Sequence, residues 1–598
     1  MDLVNTCPNV LTGTSQQLFV TLLQALFASF CELGANDRYP ADYGTKLADG
    51  GEFDFIVVGG GSAGSLLANR LTAVSDWRVL LIEAGGYPSI LTEIPTMFPH
   101  LQLSDEDWKY RTERGSCEGL RDRVCVYPRG KVLGGSSALN AMLYLRSYED
   151  DHEQWVKEGN IGWDYASALK YYNKFEKDVN VSELHSANPI RETIIRGYQE
   201  MGFPEKTDTN HLGYSDSLVT IAGGTRQSSA KAFLTTIKDR PNLHLVLKAH
   251  VTRLTFSGHR VDGVEVLVNQ KVIKLKSRKE VILSAGAMGS PQILMNSGVG
   301  PQEHLADLGI PLKKDLPVGE HLQDHPVYIG LFVNINETFL RPKTKEENID
   351  DIFQYVMYRK GHFADAPLFN FHLHANTRDG GKFPDLQVNH IPFPRNSRAG
   401  ILKWVAGFNF PPEVQELMVE NNERHSNLVL FVKCLKSKST GRIRLNSADP
   451  LDYPQIYPNY LSDEHGEDID ILLRGVRLVE ELLKTKPLRD ADAELVNLHL
   501  PKCVEFQFDT DEYWRCALRN YVTHLHHPCG TCRMGPAVDG KSVVGPDLKL
   551  HGAAGVRVVD ASIIPRIPRV NINSVTYFIA EKAAELIIKE WFGGHAEL

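Results

Sequence analysis

The chain has 598 residues, of which 42% are hydrophobic and 23% charged, and this ordinary globular composition excludes a disordered or low-complexity protein. Because one hydrophobic core seldom serves so long a chain, we expect two domains or one large composite unit. The 65 basic and 74 acidic side chains give a net charge of −9, which argues against nucleic acid as a partner and favours a neutral or small substrate.

The first apolar stretch of the chain runs from Leu18 to Cys31. It is short for a membrane span but long enough for the core of a secretory signal peptide, although no basic residues precede it. A buried N-terminal helix is the alternative. We therefore expect residues 1–50 to form a leader, possible signal peptide included, and we expect no stable membrane span.

Other features favour secretion over an intracellular location. Cys117 and Cys125 flank a short polar loop at a separation compatible with a disulfide in an exported protein. Asn180 and Asn336 begin acceptor sequons for glycosylation. The sequence thus predicts a secreted glycoprotein, and it carries no signal of oligomeric state.

Residues 52–83 predict a strand, a glycine-rich turn, a helix and a second strand. In the turn, Gly59 permits the tight bend, Gly61 lets the backbone approach a pyrophosphate, and Gly64 lets helix and strand pack closely. Glu83 ends the second strand, where its carboxylate would accept hydrogen bonds from ribose hydroxyls and disfavour NADP. The pattern therefore predicts a dinucleotide site.

A second glycine- and serine-rich segment, Pro128 to Tyr144, precedes a possible helix. Such a segment offers further backbone contacts that a nicotinamide cofactor would not require, and it favours FAD. Core-like strands recur at 280–285 and 556–560, so the cofactor domain is expected to be discontinuous. The intervening segments, including the strand-like 427–433, are expected to form a second domain.

Four further segments carry a resemblance to the glucose-methanol-choline (GMC) oxidoreductase family: Gly130–Tyr144, Gly286–Gly300, Val318–Pro326 and His527–Lys582. The resemblance implies an α/β (α+β overall) fold, with a discontinuous Rossmann-type FAD-binding domain and a substrate domain built on an antiparallel sheet. We assign residues 51–154, 220–332 and 523–598 to the first domain. We assign residues 155–219 and 333–522 to the second.

The resemblance also implies the chemistry. His527 opens a His-x-x-Gly-Thr motif similar to the one in which the family's histidine accepts the substrate hydroxyl proton, while hydride passes from the carbinol carbon to flavin N5. Histidine suits this role because its pKa lies near working pH. Asn573 falls where the family carries a second His or Asn, and its amide would hold the alcohol oxygen.

The FAD contacts follow partly from the glycine motif and partly from the resemblance. The loop at Ser136–Asn140 lacks the histidine to which some relatives attach FAD, so that linkage is excluded and we expect non-covalent FAD. The expected contact residues are Gly59, Gly61, Ser62, Ala63, Gly64, Glu83, Ala84, Gly134, Ser136, Asn140, Val251, Asp560 and Ala561.

The cluster of His524, His526 and His527 raises the question of a metal site. No suitably spaced carboxylate or paired histidine completes one, so we expect no metal. His526 is the alternative base, on the opposite face from His527 if the segment is a strand. Cys529 and Cys532 have redox or zinc spacing, but they lack a thioredoxin-like context and are interpreted as loop thiols.

Residues 6–8, 39–43, 107–113 and 441–450 resemble the insect branch of the family, which includes ecdysone oxidases and glucose dehydrogenases. Apolar segments at 366–371 and 401–410 would line a cavity for a bulky alcohol, or they are simply core. The leading expectation is oxidation of an ecdysteroid 3-hydroxyl to the ketone with oxygen as acceptor. The alternatives are a sugar dehydrogenase with a quinone acceptor, an FAD-containing lyase and a silent hormone-binding homologue.

Overall fold

The computed structural model describes residues 14–185, 188–207, 209–365, 369–378 and 380–592. Two expectations fall outside these ranges: the resemblance at residues 6–8 and the part of the cavity wall at residues 366–368. The helices of the described chain are α1 (Thr14–Leu33), α2 (Ser62–Leu71), α3 (Ile90–Glu93), α4 (Phe98–Leu101), α5 (Glu149–Lys157), α6 (Tyr165–Val179), α7 (Ile190–Glu200), α8 (Ser229–Leu234), α9 (Gly286–Asn296), α10 (Gln302–Asp307), α11 (Lys345–Tyr358), α12 (Arg398–Ala406), α13 (Pro412–Arg424), α14 (Glu467–Lys484), α15 (Lys486–Asp490), α16 (Asp511–Tyr521) and α17 (Asn573–Phe592).

The strands fall into two large sheets and several two-stranded ones. They are β1 (Glu52–Val58), β2 (Val79–Ile82), β3 (Tyr110–Arg111), β4 (Val126–Tyr127), β5 (Leu143–Tyr144), β6 (Gly213–Asp216), β7 (Leu218–Val219), β8 (Ile221–Ala222), β9 (Thr225–Arg226), β10 (Leu243–Val246), β11 (Ala249–Ser257), β12 (Arg260–Val268), β13 (Lys271–Leu283), β14 (Val299–Gly300), β15 (Lys314–Asp315), β16 (Pro326–Ile335), β17 (Phe371–Ala375), β18 (Leu386–Phe393), β19 (Ser426–Cys434), β20 (Arg442–Arg444), β21 (Gln455–Tyr457), β22 (Glu494–Leu495), β23 (Thr523–His524) and β24 (Val556–Val558).

The first large sheet has the order β10-β2-β1-β13-β12-β11, with β24 beside β13. β1 pairs in parallel with β2 and β13, and β24 pairs in parallel with β13. Helices α2 and α17 pack against each other beside it. The strands predicted at 52–58, 77–82, 280–285 and 556–560 all lie in this sheet, so the expected discontinuous α/β unit is confirmed.

The second large sheet has the order β22-β16-β19-β18-β17-β6, with β23 beside β16. Its pairings are antiparallel, as expected for the substrate side. The predicted strand at 427–433 is its central strand β19, every residue of which is buried. A fully buried strand reads as a continuous apolar run, which is why it was visible in the sequence.

Three segments pack with the other large sheet from the one expected from the domain boundaries. Trp163, which precedes α6, and Tyr172 of α6 lie in the hydrophobic core of the first large sheet, where Tyr172 stacks on Phe578 of α17, although residues 155–219 were assigned to the substrate domain. β16 and β23 pair in the second sheet, although residues up to 332 and from 523 were assigned to the FAD domain. Apolar texture shows that a segment is buried, but not against which sheet.

The N-terminal helix α1 leaves Leu23, Phe27 and Phe30 exposed, whereas its residues Ser29 and Leu33 are buried. No helix among the described residues is both long and apolar enough to cross a membrane. Disulfides join Cys117 to Cys125, as the spacing allowed, and Cys503 to Cys516.

Candidate active site

One continuous cavity runs between the two large sheets. At one end it is lined by the glycine turn before α2, and at the other by the aromatic side chains Phe98, Phe369, Trp404, Phe408 and Phe431. His527 lies on its wall, as do most of the predicted cofactor residues. The sequence motifs from distant parts of the chain therefore meet in a single site.

The glycine turn forms a cradle that side chains would fill. Gly59 has a φ of +102°, and a Cβ on Gly64 would come within 1.8 Å of the Gly59 carbonyl oxygen. A Cβ on Gly135 would lie 2.7 Å from Cα of Gly61, so the second glycine loop closes over the first. Backbone N–H groups at the start of α2 can therefore approach a pyrophosphate closely, with Ser62 and Ala63 on the cavity wall. The residues present fit a dinucleotide.

Glu83 lies buried at the end of β2, where the ribose contact was expected. Its carboxylate accepts hydrogen bonds from the N–H groups of Gly60, at 2.8 Å, and Gly85, at 2.7 Å. Burial raises the pKa of this carboxyl to about 7, against the lowering effect of those N–H groups. Through its contact with Gly60, Glu83 thus holds the glycine turn in place, and it lines the cavity beside Ala84.

The second glycine loop is held by a residue that the sequence did not single out. Arg226 is buried and donates to the carbonyl oxygen of Ser137 and to both oxygens of Asn140. Gly134 has a φ of +100°, and its carbonyl oxygen accepts from Ser137. Ser136 and Asn140 line the cavity, whereas Gly134 and Gly64 shape it without lining it. Nothing in the sequence around Arg226 indicates that its side chain is buried.

The remaining predicted contacts also reach the cavity. Val251 lines it from β11, and Asp560 and Ala561 line it after β24. Asp560 accepts from the N–H of Gly286, at 2.9 Å, and from the hydroxyl of Ser290, at 2.6 Å, so it secures the beginning of α9. Burial raises the pKa of the Asp560 carboxyl.

His527 lies between two side chains. Its Nε2 is 3.0 Å from Nδ2 of Asn571, and its Nδ1 is 2.9 Å from Nδ1 of His325. Burial, together with the nearby His325 and Lys433, holds the pKa of His527 well below its usual value, so the ring is neutral. With Asn571 donating to Nε2, the ring proton resides on Nδ1 and the Nε2 lone pair accepts the Asn571 N–H at the cavity wall. That arrangement suits a proton acceptor.

The asparagine that contacts His527 is Asn571, and the expected pairing with Asn573 is corrected. Asn573 begins α17, and its Oδ1 accepts a hydrogen bond from the Ser62 hydroxyl at 2.6 Å. It therefore lies against the glycine turn, although it also lines the cavity. Asn571 precedes α17 and Asn573 begins it, so the two side chains point to different places, and the resemblance alone could not choose between them.

The three clustered histidines have separate environments. His524 stacks on Tyr127 with ring centroids 3.7 Å apart, and its Nε2 contacts the Val126 carbonyl oxygen. His526 lies beyond β23 with a φ of +62°, so strand alternation does not apply and it lines the same cavity as His527. Among the described residues, no group of three or more His, Cys, Asp or Glu side chains could hold a metal ion.

Asp324, in a motif quoted above only for its resemblance, positions the base. Its Oδ1 accepts from the backbone N–H groups of His527, at 3.0 Å, and His325, at 2.7 Å, while Oδ2 accepts from the Tyr127 hydroxyl. Burial raises the pKa of the Asp324 carboxyl to about 7. The side chain therefore fixes the backbone of both histidines.

Cys529 and Cys532 are buried and unpaired with each other. Burial raises the pKa of both thiols well above its usual value, which disfavours the reactive thiolate.

A dinucleotide cradle that opens onto a neutral, oriented histidine defines an oxidoreductase that removes a proton and a hydride from one substrate. Residues 53–327 and 437–580 match the models of the GMC oxidoreductase family. The chain is 35% identical to glucose dehydrogenase [FAD, quinone] of Drosophila pseudoobscura pseudoobscura, over 97% of this chain and 93% of that one. It is 32% identical to ecdysone oxidase of Bombyx mori, over 96% and 87%.

Among solved structures, formate oxidase from Aspergillus oryzae superposes with a TM-score of 0.78 at 26% identity, covering 92% of this chain and all of that one. The chain belongs to the GMC oxidoreductase family. It is an FAD-dependent oxidoreductase that acts on alcohols, as the resemblance implied.

Proposed function

We propose that this protein oxidises a hydroxyl group on a bulky, multi-ring alcohol of the ecdysteroid type to the ketone. The observation that carries the proposal is the aromatic end of the cavity, where the five side chains Phe98, Phe369, Trp404, Phe408 and Phe431 face the space beside His527. Aromatic walls of this kind suit a rigid apolar body, whereas a sugar needs many polar groups. The likeness to an ecdysone oxidase supports the same substrate class.

Two side chains converge on the position of the reacting oxygen. When the alcohol enters, its O–H donates to Nε2 of His527 while the amide N–H of Asn571 turns to the alcohol oxygen. Proton removal places negative charge on that oxygen, and the Asn571 donor stabilises it. FAD, held by the glycine cradle, supplies the hydride acceptor. The His325 contact keeps the His527 ring oriented throughout.

A sugar dehydrogenase with a quinone acceptor is the second candidate, because the chain is 35% identical to a glucose dehydrogenase and only 32% identical to the ecdysone oxidase. A silent binder is a weaker candidate, because a neutral oriented base beside an amide donor would serve no purpose in a binder. A lyase could retain such a base, and the test below separates it from an oxidoreductase by the absence of flavin bleaching. We propose oxygen as the electron acceptor, in keeping with an oxidase.

Anaerobic mixing of the holoenzyme with ecdysone, and separately with glucose, tests the proposal by the loss of the oxidised flavin absorbance. We expect rapid bleaching with ecdysone and slow or no bleaching with glucose. Bleaching by glucose alone would establish the sugar dehydrogenase, and bleaching by no alcohol would exclude both. Reoxidation of the reduced protein by dissolved oxygen, compared with a soluble quinone, identifies the acceptor.

We also propose that the protein is secreted after removal of a leader that includes α1. The exposed apolar side chains of this helix and the two disulfides support export. Mass spectrometry of protein expressed in insect cells should find it in the medium with a new N-terminus beyond Leu33. Intracellular protein that retains residue 14 would contradict this.

A further inference from the structure

His526 lines the cavity with an imidazole ring whose nitrogens have no hydrogen-bond partner. Both of its ring nitrogens are buried without a hydrogen-bond partner, whereas the nitrogens of the neighbouring His524 and His527 rings lie against hydrogen-bonding groups. Buried polar atoms are normally hydrogen-bonded, because an unpaired one loses its hydrogen bonds to water and gains none from the protein. The two nitrogens therefore indicate a ligand or water in the working enzyme.

The backbone of His526 is held in place, so the ring cannot easily turn away. Its N–H donates to Nδ1 of His524 at 3.1 Å, and its carbonyl oxygen accepts from Arg129 at 2.8 Å. Its φ of +62° is uncommon for a residue with a side chain. Such a conformation persists where the surroundings enforce it, and it clusters at functional sites.

The surroundings of the ring are aromatic. It stacks on Phe408 with centroids 5.7 Å apart and planes 24° apart, and it meets the edge of His524 at 4.8 Å. Phe408 and Trp404 line the same cavity, and their rings pack against each other. His526 is therefore a polar group set into the apolar end of the cavity.

The charge state of the ring narrows what it can bind. Burial and the positive charge of Arg129 lower the pKa of His526 to about 3, so the imidazole is neutral and offers one N–H donor and one acceptor nitrogen. A neutral hydroxyl or carbonyl matches this pair.

We infer that His526 binds a second oxygen of the substrate, remote from the hydroxyl that is oxidised. This inference rests on the proposed function and sharpens it. The substrate must carry an apolar ring body against Phe408 and Trp404 and a further hydroxyl or carbonyl within reach of His526. A simple alcohol would leave both nitrogens unpaired and would bind more weakly for that reason.

The variant His526→Phe tests the inference, since it preserves an aromatic ring against Phe408 and removes both nitrogens. The dependence of the flavin reduction rate on ecdysone concentration, recorded for the holoenzyme by anaerobic stopped flow, gives both the apparent Kd and the limiting rate. We expect Kd to rise on the order of 10- to 100-fold, as for an unpaired polar group, with the limiting rate changed by less than about threefold. Binding of a mono-hydroxylated sterol should not weaken.

Two further variants serve as controls for His526→Phe. His526→Asn keeps a donor and an acceptor and should restore part of the affinity for ecdysone, whereas Phe408→Leu should weaken both ligands alike. FAD content and thermal unfolding show whether each variant folds.

Unchanged ecdysone affinity in a folded His526→Phe would overturn the inference, as would a loss of limiting rate with Kd unchanged, which would make His526 a proton acceptor. The proposed function fails separately, if the wild-type flavin is not bleached. If glucose proves to be the substrate, the same comparison is made with glucose and its deoxy analogues, and equal losses for all of them would overturn the inference.

Discussion

Asn571 donates its side-chain N–H to Nε2 of His527 across 3.0 Å, and this contact joins the segment before α17 to the loop after β23. The two residues are 44 positions apart, yet both line the same cavity. The contact keeps Nε2 unprotonated in the resting protein, which is the state that a proton acceptor needs.

His527→Gln should retain FAD but slow flavin reduction on the order of 10² to 10⁴, because the amide cannot accept the hydroxyl proton. Stopped-flow reduction under anaerobic conditions with saturating substrate measures the rate. The unchanged flavin spectrum serves as the control for folding. A full rate in this variant would show that another group is the base.

Asn571→Ala and Asn573→Ala should separate the two asparagines. Asn571→Ala removes the donor to the developing alkoxide and should slow flavin reduction by about 10² to 10³. Asn573→Ala removes the partner of the Ser62 hydroxyl instead and should mainly lower FAD affinity. Reduction rates at full FAD occupancy distinguish them. A greater loss of rate in Asn573→Ala would restore the assignment made from the sequence.

Asp324→Asn should alter the pH dependence of stability. Burial raises the pKa of the folded carboxyl to about 7 from its ordinary value of 3.8, so between these pH values the folded state binds one proton more than the unfolded state. Stability from this group is therefore fully present at low pH and is lost as pH rises through that window, by up to about 1.4 kcal/mol per pH unit.

The amide in Asp324→Asn does not titrate. As pH rises, the unfolding free energy of the wild type should therefore fall relative to that of the variant. Denaturant unfolding of the holoenzyme at several pH values measures it. A difference that does not change with pH would show that Asp324 is ionised throughout.

Glu83→Gln should weaken FAD binding. The amide can accept from only one of the N–H groups of Gly60 and Gly85, and it loses the charge that attracts ribose hydroxyls. We expect a Kd for FAD on the order of 10-fold higher, measured by fluorescence titration of the apoprotein. Glu106→Gln, at a carboxylate that contacts Ser89 away from the cavity, is the matched control. Equal affinity in both variants would exclude a cofactor role for Glu83.

FAD should be released on denaturation. The loop at Ser136–Asn140 offers no histidine for attachment, and its polar contacts go to Arg226, to Ser229 and to nearby backbone groups. Acid precipitation should leave all the yellow colour in the supernatant. Flavin fluorescence that remains with the protein band on a denaturing gel would indicate a covalent link elsewhere.

Much of the fold could be predicted because its signals are local. Strand β1, the turn from Gly59 to Gly64 and the buried strand β19 are marked by composition alone. The identity of His527 came from a short motif. The roles of Arg226 and Asp324 could not be predicted, since each depends on which backbone groups come near it.

The sequence by itself determined the cofactor class and singled out His527 as the expected base, because a glycine turn and a His-x-x-Gly-Thr motif are each recognised within a few consecutive residues. Only the tertiary structure decided that Asn571 rather than Asn573 contacts His527, and that His526 shares the cavity instead of facing away. Both depend on backbone directions outside regular helices and strands, where side-chain periodicity gives no guide. The substrate end of the cavity is likewise assembled from α4, α12 and β19, whose contact no local pattern encodes.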